Sequence, residues 1–578
     1  MFIMSLFKYK IDEAQPADRD HLTLIRGAII TAFVVVLSVE LYAFACAQDI
    51  WTDETTQLSG ITLGPWEMLR WLLGVDADRF GLPWDRMPPV SYLLDWLWLR
   101  LAGPSELGFR LFHSAFVVTG VALLAIAAMR QMGVWAAMVI LALSILSPKL
   151  ILTGVEIRAY PMFFAVTCAQ LIVFLHLASD AHNLNAKTLV LFVLLCFSAV
   201  YTHFYGIVSS FVLFVTLILV YLKLHPPVHA IRALIAAFAI VLILSIGIIP
   251  FAFDSITLTK QITDSTPMTG NSVVTGDFSK YLLGVLWFIF ALIGGNSNIV
   301  SRFGLILFAG GALALLSAAA IIAFVHVRNG KQRTFDWLSL VAMAGAITPI
   351  IAIGLFKTFH VKIFDPMVQR YSIWLFAPLA ILIGSGATSL TGFRPWDRGG
   401  RFAATGALLI GAAFATHTFF THASAFAHGP RSFVEGIYDA VPGPKAIVYK
   451  NGDHWWFFSY FPLAFSHKAK IVQYRVAEDG TGLIRIGGAG RAQEIESAVA
   501  AYNYILLVDV QTRTPLDMRE CLNQTGLCSN FARSSIEALL TESGRWRETE
   551  EQRSFGEIDT QVKILERVAE RAAPTDSE

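Results

Sequence analysis

The sequence predicts a polytopic α-helical membrane protein that ends in a small α/β domain outside the membrane. Of its 578 residues, 55% are hydrophobic and only 15% are charged, whereas an average soluble protein carries roughly 25% charged residues. Apolar runs of about 20 residues recur along the chain, and this is the length that crosses a bilayer core of about 30 Å. After about residue 423 short strand-like and helix-like runs replace these long apolar runs.

The apolar runs predict about eleven membrane spans, with a margin of one or two. The first run, 28–47, contains Ala43-Phe44-Ala45, which resembles a signal-peptide cleavage site. This run is about 20 residues long and a signal-peptide core is about 7–15, so a retained helix is the favoured interpretation. The predicted spans are 26–47, 109–129, 134–151, 161–178, 188–203, 206–222, 232–252, 303–326, 336–356, 371–390 and 402–422.

The distribution of Lys and Arg predicts a cytoplasmic N-terminus, because these residues favour cytoplasmic loops. A crossing at 281–296 would place the loop with Arg328, Lys331 and Arg333 outside the cell, against this distribution. The apolar segment 281–296 is therefore expected to be re-entrant or interfacial on the outer side. Segment 88–101 contains Asp95 and Arg100 and is expected to lie as a helix at the outer surface. The N-terminal segment and the loops on its side of the membrane hold Lys8, Lys10, Arg19, Arg26, Arg130, Lys223, Arg232, Arg328, Lys331, Arg333, Arg394, Arg398 and Arg401.

Three parts follow from this topology: a cytoplasmic segment 1–25, a transmembrane module 26–422 and an extracytoplasmic α/β domain 423–578. The outer loop 48–108 of the module is expected to carry interfacial helices. In the last part Cys521 and Cys528 can form a disulfide in an oxidising compartment. Strand-like runs lie at 446–449, 470–474 and 504–510, and helical patterns at 492–501 and 534–540.

Several function classes find no support in the sequence. The net charge is +1 and no long basic run occurs, so nucleic acid is not an expected partner. There is no Walker-type loop and no Gly-x-Gly-x-x-Gly after a strand, so nucleotide use is not supported. There is also no Cys-x-x-Cys and no supported His-x-x-x-His pair. No metal site or other cofactor is therefore indicated, and a requirement for a divalent metal stays open.

Polar clusters lie at the predicted outer ends of spans. The interiors of spans 3 to 11 contain almost no charged residues, which disfavours a transporter with ionisable groups near the bilayer midplane. The clusters indicate chemistry at the outer membrane surface on a lipid-borne or surface substrate. They lie at 49–54, 106–110, 156–160, 201–205 and 357–370.

Asp53 and Glu54 directly follow the first span. A carboxylate at this boundary can accept the proton of a hydroxyl nucleophile. The alternative interpretation is a solvated loop start or an acidic helix cap. Glu156 and Arg158 flank another span end, where the alternative is a surface ion pair.

Basic residues in the outer clusters are candidates for binding a phosphate, because the guanidinium of Arg is a planar fork that matches phosphate oxygens. The alternative is that they reach towards lipid headgroups, and for His203 it is a hydrogen-bonded structural role. These candidates are Arg158, Arg370, His203, Lys357 and Lys362.

The order of these motifs resembles the GT-C superfamily of polyprenyl-phosphate-dependent glycosyltransferases over about residues 20–420. The similarity is to the bacterial branch of protein O-mannosyltransferase-like proteins, the lipid A aminoarabinose transferase and the rhizobial galacturonosyltransferases. The motifs that carry it are Trp51-Thr52-Asp53-Glu54, Met87-Pro88-Pro89 with the following Val90–Leu94, Gly103-Pro104-Ser105-Glu106 with Arg110 and Ser114, Glu156-Ile157-Arg158-Ala159-Tyr160, Tyr201–Tyr205, and Gln369-Arg370-Tyr371 before a span with Pro378.

The resemblance implies a GT-C-like fold and inverting transfer of a sugar from a polyprenyl-phosphate donor to an extracytoplasmic acceptor. The acceptor would be a glycolipid, a polysaccharide or a protein, and the enzyme would be a multi-pass protein of the inner (plasma) membrane. Asp53 matches the catalytic base of the superfamily and Glu54 matches its neighbour.

The resemblance also implies roles in donor binding. Glu156, Arg158 and Tyr160 match an outer-loop cluster near the donor, and Arg370, with Arg158, is suited to the donor phosphate. Relatives often have His or Lys before the Pro-Pro pair, where this chain has Met87. Arg86, one position earlier, is a candidate to replace that contact, and His203 completes the donor-binding set.

Two other classes remain as alternatives. One is a transporter or flippase, and the other is a sensor or assembly protein whose outer domain does the binding. Convergence of Asp53, Glu156, Arg158 and Arg370 on one cavity would favour the glycosyltransferase over both alternatives.

Overall fold

A computed structural model describes residues 16–48, 50, 52–75, 85, 87–179, 184–224, 226–251, 373–391, 431–449, 470–473, 499–512, 540–554 and 558–568. The chain divides into two compact units. The first unit comprises Met1–Cys46, Ser59–Leu101 and Phe109–Ala423, and the second unit comprises Ala47–Leu58, Ala102–Gly108 and Ser424–Glu578.

The described residues up to 391 are mostly helical, as predicted. The described helices are α1 (Pro16–Ala47), α2 (Thr52–Gly60), α3 (Pro65–Leu72), α4 (Pro89–Ala102), α5 (Glu106–Gln131), α6 (Val134–Leu146), α7 (Pro148–Val155), α8 (Ala159–Ser179), α9 (Ala186–Thr202), α10 (Tyr205–Leu224), α11 (Val228–Ser245) and α12 (Phe376–Thr391). A short 3₁₀ turn, Ile246–Ile248, follows α11.

Five described segments are long and apolar enough to cross a membrane, and a bent helix pair raises the number to six. This confirms a polytopic helical membrane protein. The predicted spans 303–326, 336–356 and 402–422 and the segment 281–296 lie outside the described residues, so the total of eleven stays a prediction. The five segments are Arg26–Ala47, Glu106–Gln131, Ala159–Ala178, Tyr205–Leu222 and Val228–Phe251.

The segment predicted as one span over 134–151 is broken into α6 and α7. Their axes differ by 66° where Val134–Ile145 is followed by Lys149–Val155. The cause is the Ser147-Pro148 pair, because a proline disfavours helical geometry in the residue before it. Ser147 is extended and its Oγ accepts a hydrogen bond from the Leu150 N–H at 3.2 Å, which caps the start of α7.

Helices α8 to α11 form a bundle with polar contacts between apolar faces. Gln170 on α8 donates through Nε2 to Ser210 Oγ on α10 at 3.0 Å. The Tyr221 hydroxyl on α10 donates to the Leu177 carbonyl oxygen at 3.1 Å, and the Tyr201 hydroxyl on α9 donates to that of Leu244 at 2.8 Å. Hydrogen bonds of this kind help to fix helix pairs inside a membrane. The start of α8, the end of α9 and the start of α10 therefore lie at the same end of the bundle.

The second unit contains a five-stranded sheet whose strand order is β2-β1-β3-β5-β4. Strands β1, β2 and β3 are parallel, and β5 runs antiparallel to both β3 and β4. The first three strands confirm the predicted strand-like runs, whereas β4 and β5 were not predicted. The elements are α13 (Arg431–Ala440), β1 (Lys445–Tyr449), β2 (Lys470–Gln473), β3 (Tyr504–Thr512), β4 (Trp546–Ser554) and β5 (Ile558–Arg567).

Side chains alternate between the two faces of this sheet, as the period of two in a strand requires. One face packs against Val434 and Ile437 of α13, and the other packs against Val499 and Leu540. Strand β4 is an outermost strand of the described sheet, and its register shifts between Glu548 and Glu550. Cys521 and Cys528 lie outside the described residues, so their disulfide stays a prediction.

Candidate active site

The predicted catalytic pair lies at the start of α2. Glu54 is in the first turn of this helix and its side chain is fully buried, so it is not part of a solvated loop. A carboxylate in the first turn interacts favourably with the helix dipole. Asp53 belongs to the same turn of backbone, and its side chain is outside the described residues, as are Arg86 and Arg370.

Four of the predicted donor-binding residues come together in the first unit. Glu156 and Arg158 lie in the turn between α7 and α8, and the Arg158 N–H donates to the Glu156 carbonyl oxygen at 2.9 Å. Tyr160 lies in the first turn of α8, and its ring centroid is 5.5 Å from that of His203 after α9. Residues more than 40 positions apart in the sequence are therefore neighbours at one end of the bundle. All four side chains are largely buried.

His203 is held in a tight turn between α9 and α10. Its N–H donates to the Ala199 carbonyl oxygen at 3.0 Å, and its Nδ1 accepts from the Tyr205 N–H at 3.2 Å. Gly206 is required in this turn, because a Cβ atom there would lie 2.1 Å from the Ala199 oxygen. The ring of His203 also stacks on Phe163 with centroids 5.1 Å apart.

The imidazole of His203 is neutral, since its Nδ1 accepts the Tyr205 N–H and therefore carries no proton. Because Nδ1 accepts a hydrogen bond, the proton of the neutral ring is on Nε2. His203 therefore adds an aromatic ring with one N–H donor to the cluster around Arg158, and it adds no positive charge there.

Asp85 is the residue that the sequence analysis missed. Its Oδ2 accepts a hydrogen bond from Arg158 Nη1 at 2.5 Å and another from the Tyr92 hydroxyl. The Arg158 side chain is 5% exposed and that of Asp85 is 15% exposed, so the ion pair is nearly buried. In the sequence, Asp85 is visible only as an acidic residue directly before Arg86 and the Pro-Pro motif. No sequence pattern indicates that its partner is Arg158, 73 positions away.

Tyr92 supports Asp85 from inside the first unit. Its ring is fully buried and meets that of Trp71 edge-on, with centroids 5.7 Å apart. A Cβ atom on Gly60 would lie 2.4 Å from the Trp71 ring and 2.9 Å from the Tyr92 ring, so these rings occupy the space that a side chain would need. Burial, together with the negative charge of Asp85, raises the pKa of the Tyr92 hydroxyl well above its usual value, which keeps it protonated as a donor.

A second buried arginine fixes the turn that carries Glu156. Arg110 on α5 donates from Nη1 to the Val155 carbonyl oxygen at the end of α7, at 3.0 Å. A positive charge at a helix C-terminus offsets the partial negative charge there. Nearby on α5, His113 Nε2 lies 2.9 Å from Asp95 Oδ1 of α4, and both side chains are fully buried.

No metal centre is present in the part of the chain that the structure describes: no three His, Cys, Asp or Glu side chains there could together hold an ion.

Neither family models nor curated proteins match this chain. Among solved structures, the oligosaccharyltransferase of Archaeoglobus fulgidus in complex with Zn and sulfate aligns over 83% of this chain and 67% of its own, at 14% identity and a TM-score of 0.39. ArnT from Cupriavidus metallidurans in the apo state aligns over 97% of this chain and 100% of its own, at 13% identity and a TM-score of 0.37.

A second structure of ArnT from Cupriavidus metallidurans, bound to undecaprenyl phosphate, aligns over 95% of this chain and 99% of its own, at 15% identity and a TM-score of 0.36. All three TM-scores are below 0.5, and membership of the GT-C superfamily therefore stays a proposal for this chain.

Proposed function

We propose that the protein is an inverting GT-C glycosyltransferase that moves a sugar from a polyprenyl-phosphate donor to an acceptor outside the membrane. The observation that carries this proposal is the convergence of Arg158, Tyr160 and His203 with Asp85 at one end of the α8–α10 bundle. The clusters 156–160 and 201–205, which both hold residues predicted to bind the donor, meet there.

The position of this cluster favours a surface enzyme over a transporter. Arg158 and His203 lie in turns between helices, whereas a secondary transporter binds its substrate near the bilayer midplane. An enzyme that uses a lipid-borne sugar needs its polar groups at the membrane boundary, with the lipid tail among the helices.

In this mechanism Asp53 is the general base. An acceptor hydroxyl attacks the anomeric carbon of the donor sugar from the face opposite the phosphate. The hydroxyl proton passes to the Asp53 carboxylate, and the bond between the sugar and the phosphate oxygen breaks with inversion. Glu54, the next residue along the chain, is buried in the first turn of α2.

The leaving polyprenyl phosphate needs positive charge to stabilise it. Arg370 and Arg86 are the residues that we assign to the phosphate, since an arginine fork can hold two of its oxygens. Trp374, which follows Arg370 by four residues, packs near Phe163 with ring centroids 6.4 Å apart. This contact supports a donor site that joins the segment after Arg370 with Glu156, Arg158, Tyr160 and His203.

The enzyme is proposed to be a multi-pass inner-membrane protein with its active site and residues 423–578 outside. Membrane lipids surround the 26–422 module, and the donor enters from the outer leaflet. The acceptor is a glycolipid, a polysaccharide or a protein.

The test is turnover by purified protein with a panel of polyprenyl-phosphate sugars. Asp53→Asn keeps the shape of the side chain and removes the proton acceptor, so turnover should fall by about 10²–10⁴-fold while donor binding is retained. Glu54→Gln and Glu156→Gln are the matched carboxylate controls, each checked for folding. Near-normal turnover by Asp53→Asn with a dead Glu54→Gln or Glu156→Gln would reassign the base. Full activity in all three variants, or no turnover of any donor by wild type, would overturn the proposed function.

A further inference from the structure

We propose that the Asp85–Arg158 pair binds the hydroxyls of an uncharged sugar ring on the donor, and that the donor phosphate binds elsewhere. This inference rests on the proposed function and goes beyond it, because it names the part of the donor that this pair recognises. It also revises the expectation that Arg158 holds the phosphate.

Charge is the first argument. Arg158 Nη1 is 2.5 Å from Asp85 Oδ2, so the negative charge of the carboxylate offsets that of the guanidinium at close range. Glu156 adds a second carboxylate in the same turn, and His203 is neutral. Arg110 adds a positive charge behind the turn, where it donates to the Val155 carbonyl oxygen. These described groups add up to no net positive charge, which makes the pair a poor site for a phosphate anion.

The same pair suits a polyol. A hydroxyl donates one hydrogen bond and accepts up to two, a carboxylate only accepts, and a guanidinium only donates. A carboxylate beside a guanidinium therefore offers neighbouring ring hydroxyls one acceptor and one donor. Such charged partners form stronger hydrogen bonds than neutral ones.

The pair is also fixed in place before any ligand arrives. The Tyr92 hydroxyl and Arg158 both donate to the same oxygen of Asp85. Tyr92 has no room to move, because its ring is fully buried between Trp71 and Gly60. Asp85 is the more exposed member of the pair, at 15% against 5%, so a ligand meets the carboxylate first.

Aromatic rings lie beside the pair. The Tyr160 and His203 rings are 5.5 Å apart, and Phe163 stacks on His203. The three rings are almost fully buried and pack on one another, so they hold the turn that carries Arg158 in place. A pyranose ring would meet the pair through the hydroxyls at its rim.

The experiment separates sugar from phosphate by comparing two kinds of lipid. Binding of undecaprenyl phosphate, and of undecaprenyl phosphate that carries a neutral hexose or a hexuronic acid, is measured on the full-length purified protein. Asp85→Asn should weaken binding of the hexose-bearing lipid by about 10- to 100-fold, because a nearly buried site loses its negative charge and one of two acceptor oxygens. Binding of the sugar-free lipid should stay within about twofold of wild type. The hexuronic acid should bind more weakly than the hexose, since it meets two carboxylates.

Asp95→Asn is the matched control. It also removes a buried carboxylate with a close side-chain partner, here His113, and it should leave the ratio of the two affinities unchanged. If Asp85→Asn does not fold, Tyr92→Phe tests the same point, because it removes one hydrogen bond to Asp85 and keeps the charge. The Tyr92→Phe variant should again lose affinity for the sugar-bearing lipid only.

Two results would overturn the inference while the proposed function stands. Tighter binding of sugar-free undecaprenyl phosphate by Asp85→Asn would mean that Arg158 binds the phosphate and that the negative charge of Asp85 weakens this binding in the wild type. Equal affinities of the variant and wild type for the hexose-bearing lipid would mean that the pair is only structural. If wild type binds neither lipid, the proposed function fails and the inference fails with it.

Discussion

Replacing Gly206 by alanine should disable the site, although Gly206 has no side chain that could bind the donor. Gly206 closes the turn between α9 and α10, where its N–H donates to the His203 carbonyl oxygen at 2.8 Å. A Cβ atom there would lie 2.1 Å from the Ala199 oxygen and 2.2 Å from the Ala199 carbon. Both contacts are with main-chain atoms, so no side-chain rotation can relieve them.

The size of the effect follows from that overlap. Ordinary contacts of a Cβ atom begin at 3.4 Å, so the backbone of the turn must move by more than 1 Å. Overpacking of this kind costs about 1–3 kcal/mol of folding free energy. The movement displaces His203 against Tyr160 and Phe163, and a misplacement of about 1 Å at a substrate-positioning group can lower turnover about 10²-fold.

The assay pairs thermal unfolding in detergent with turnover of a polyprenyl-phosphate sugar. Gly27→Ala is the control, since it also lies in a helix of the first unit and a Cβ atom there meets nothing within 4 Å. That control should be neutral or slightly stabilising, because alanine favours a helix over glycine. A Gly206→Ala protein that unfolds at the temperature of the Gly27→Ala protein would refute the structural reasoning. If the unfolding temperature falls while turnover is kept, His203 is not part of the donor site.

Two further predictions address separate features. Arg370→Ala should weaken donor binding and Arg370→Lys should restore it only in part, because lysine lacks the bidentate fork; equal affinities of all three proteins would exclude a phosphate contact. Reporter fusions after Glu578 and within 328–333 should report the outside and the cytoplasm respectively, and a cytoplasmic C-terminus would reverse the orientation.

Long apolar helices were predictable because the bilayer imposes their length and composition. The predicted span 161–178 corresponds to Ala159–Ala178, and 206–222 corresponds to Tyr205–Leu222. The break at Ser147-Pro148 was also encoded locally, by an N-cap residue followed by a proline at the first helical position. Hydropathy alone does not show this break, so 134–151 was predicted as a single span.

Strands β4 and β5 were missed for a different reason. The β4 sequence, Trp546–Ser554, is rich in Glu, Arg and Gln, which favour helices when taken alone. Its pairing with β5 overrides that preference, and Val562 and Ile564 of β5 supply the apolar face. The partnership of Asp85 with Arg158 was equally invisible, because folding brings the two residues together across 73 positions.

The β4 strand bears on how the C-terminal domain can bind an extended peptide. A free sheet edge is a common docking place for such a peptide, which adds to the sheet as one more strand through main-chain hydrogen bonds. Strand β4 is outermost in the described sheet, but the register shift between Glu548 and Glu550 interrupts its backbone spacing. Its exposed side chains are mostly charged, with Arg547 beside the glutamates. Charged edges with a bulge oppose edge-to-edge pairing, so the described β4 edge is poorly suited to β-augmentation.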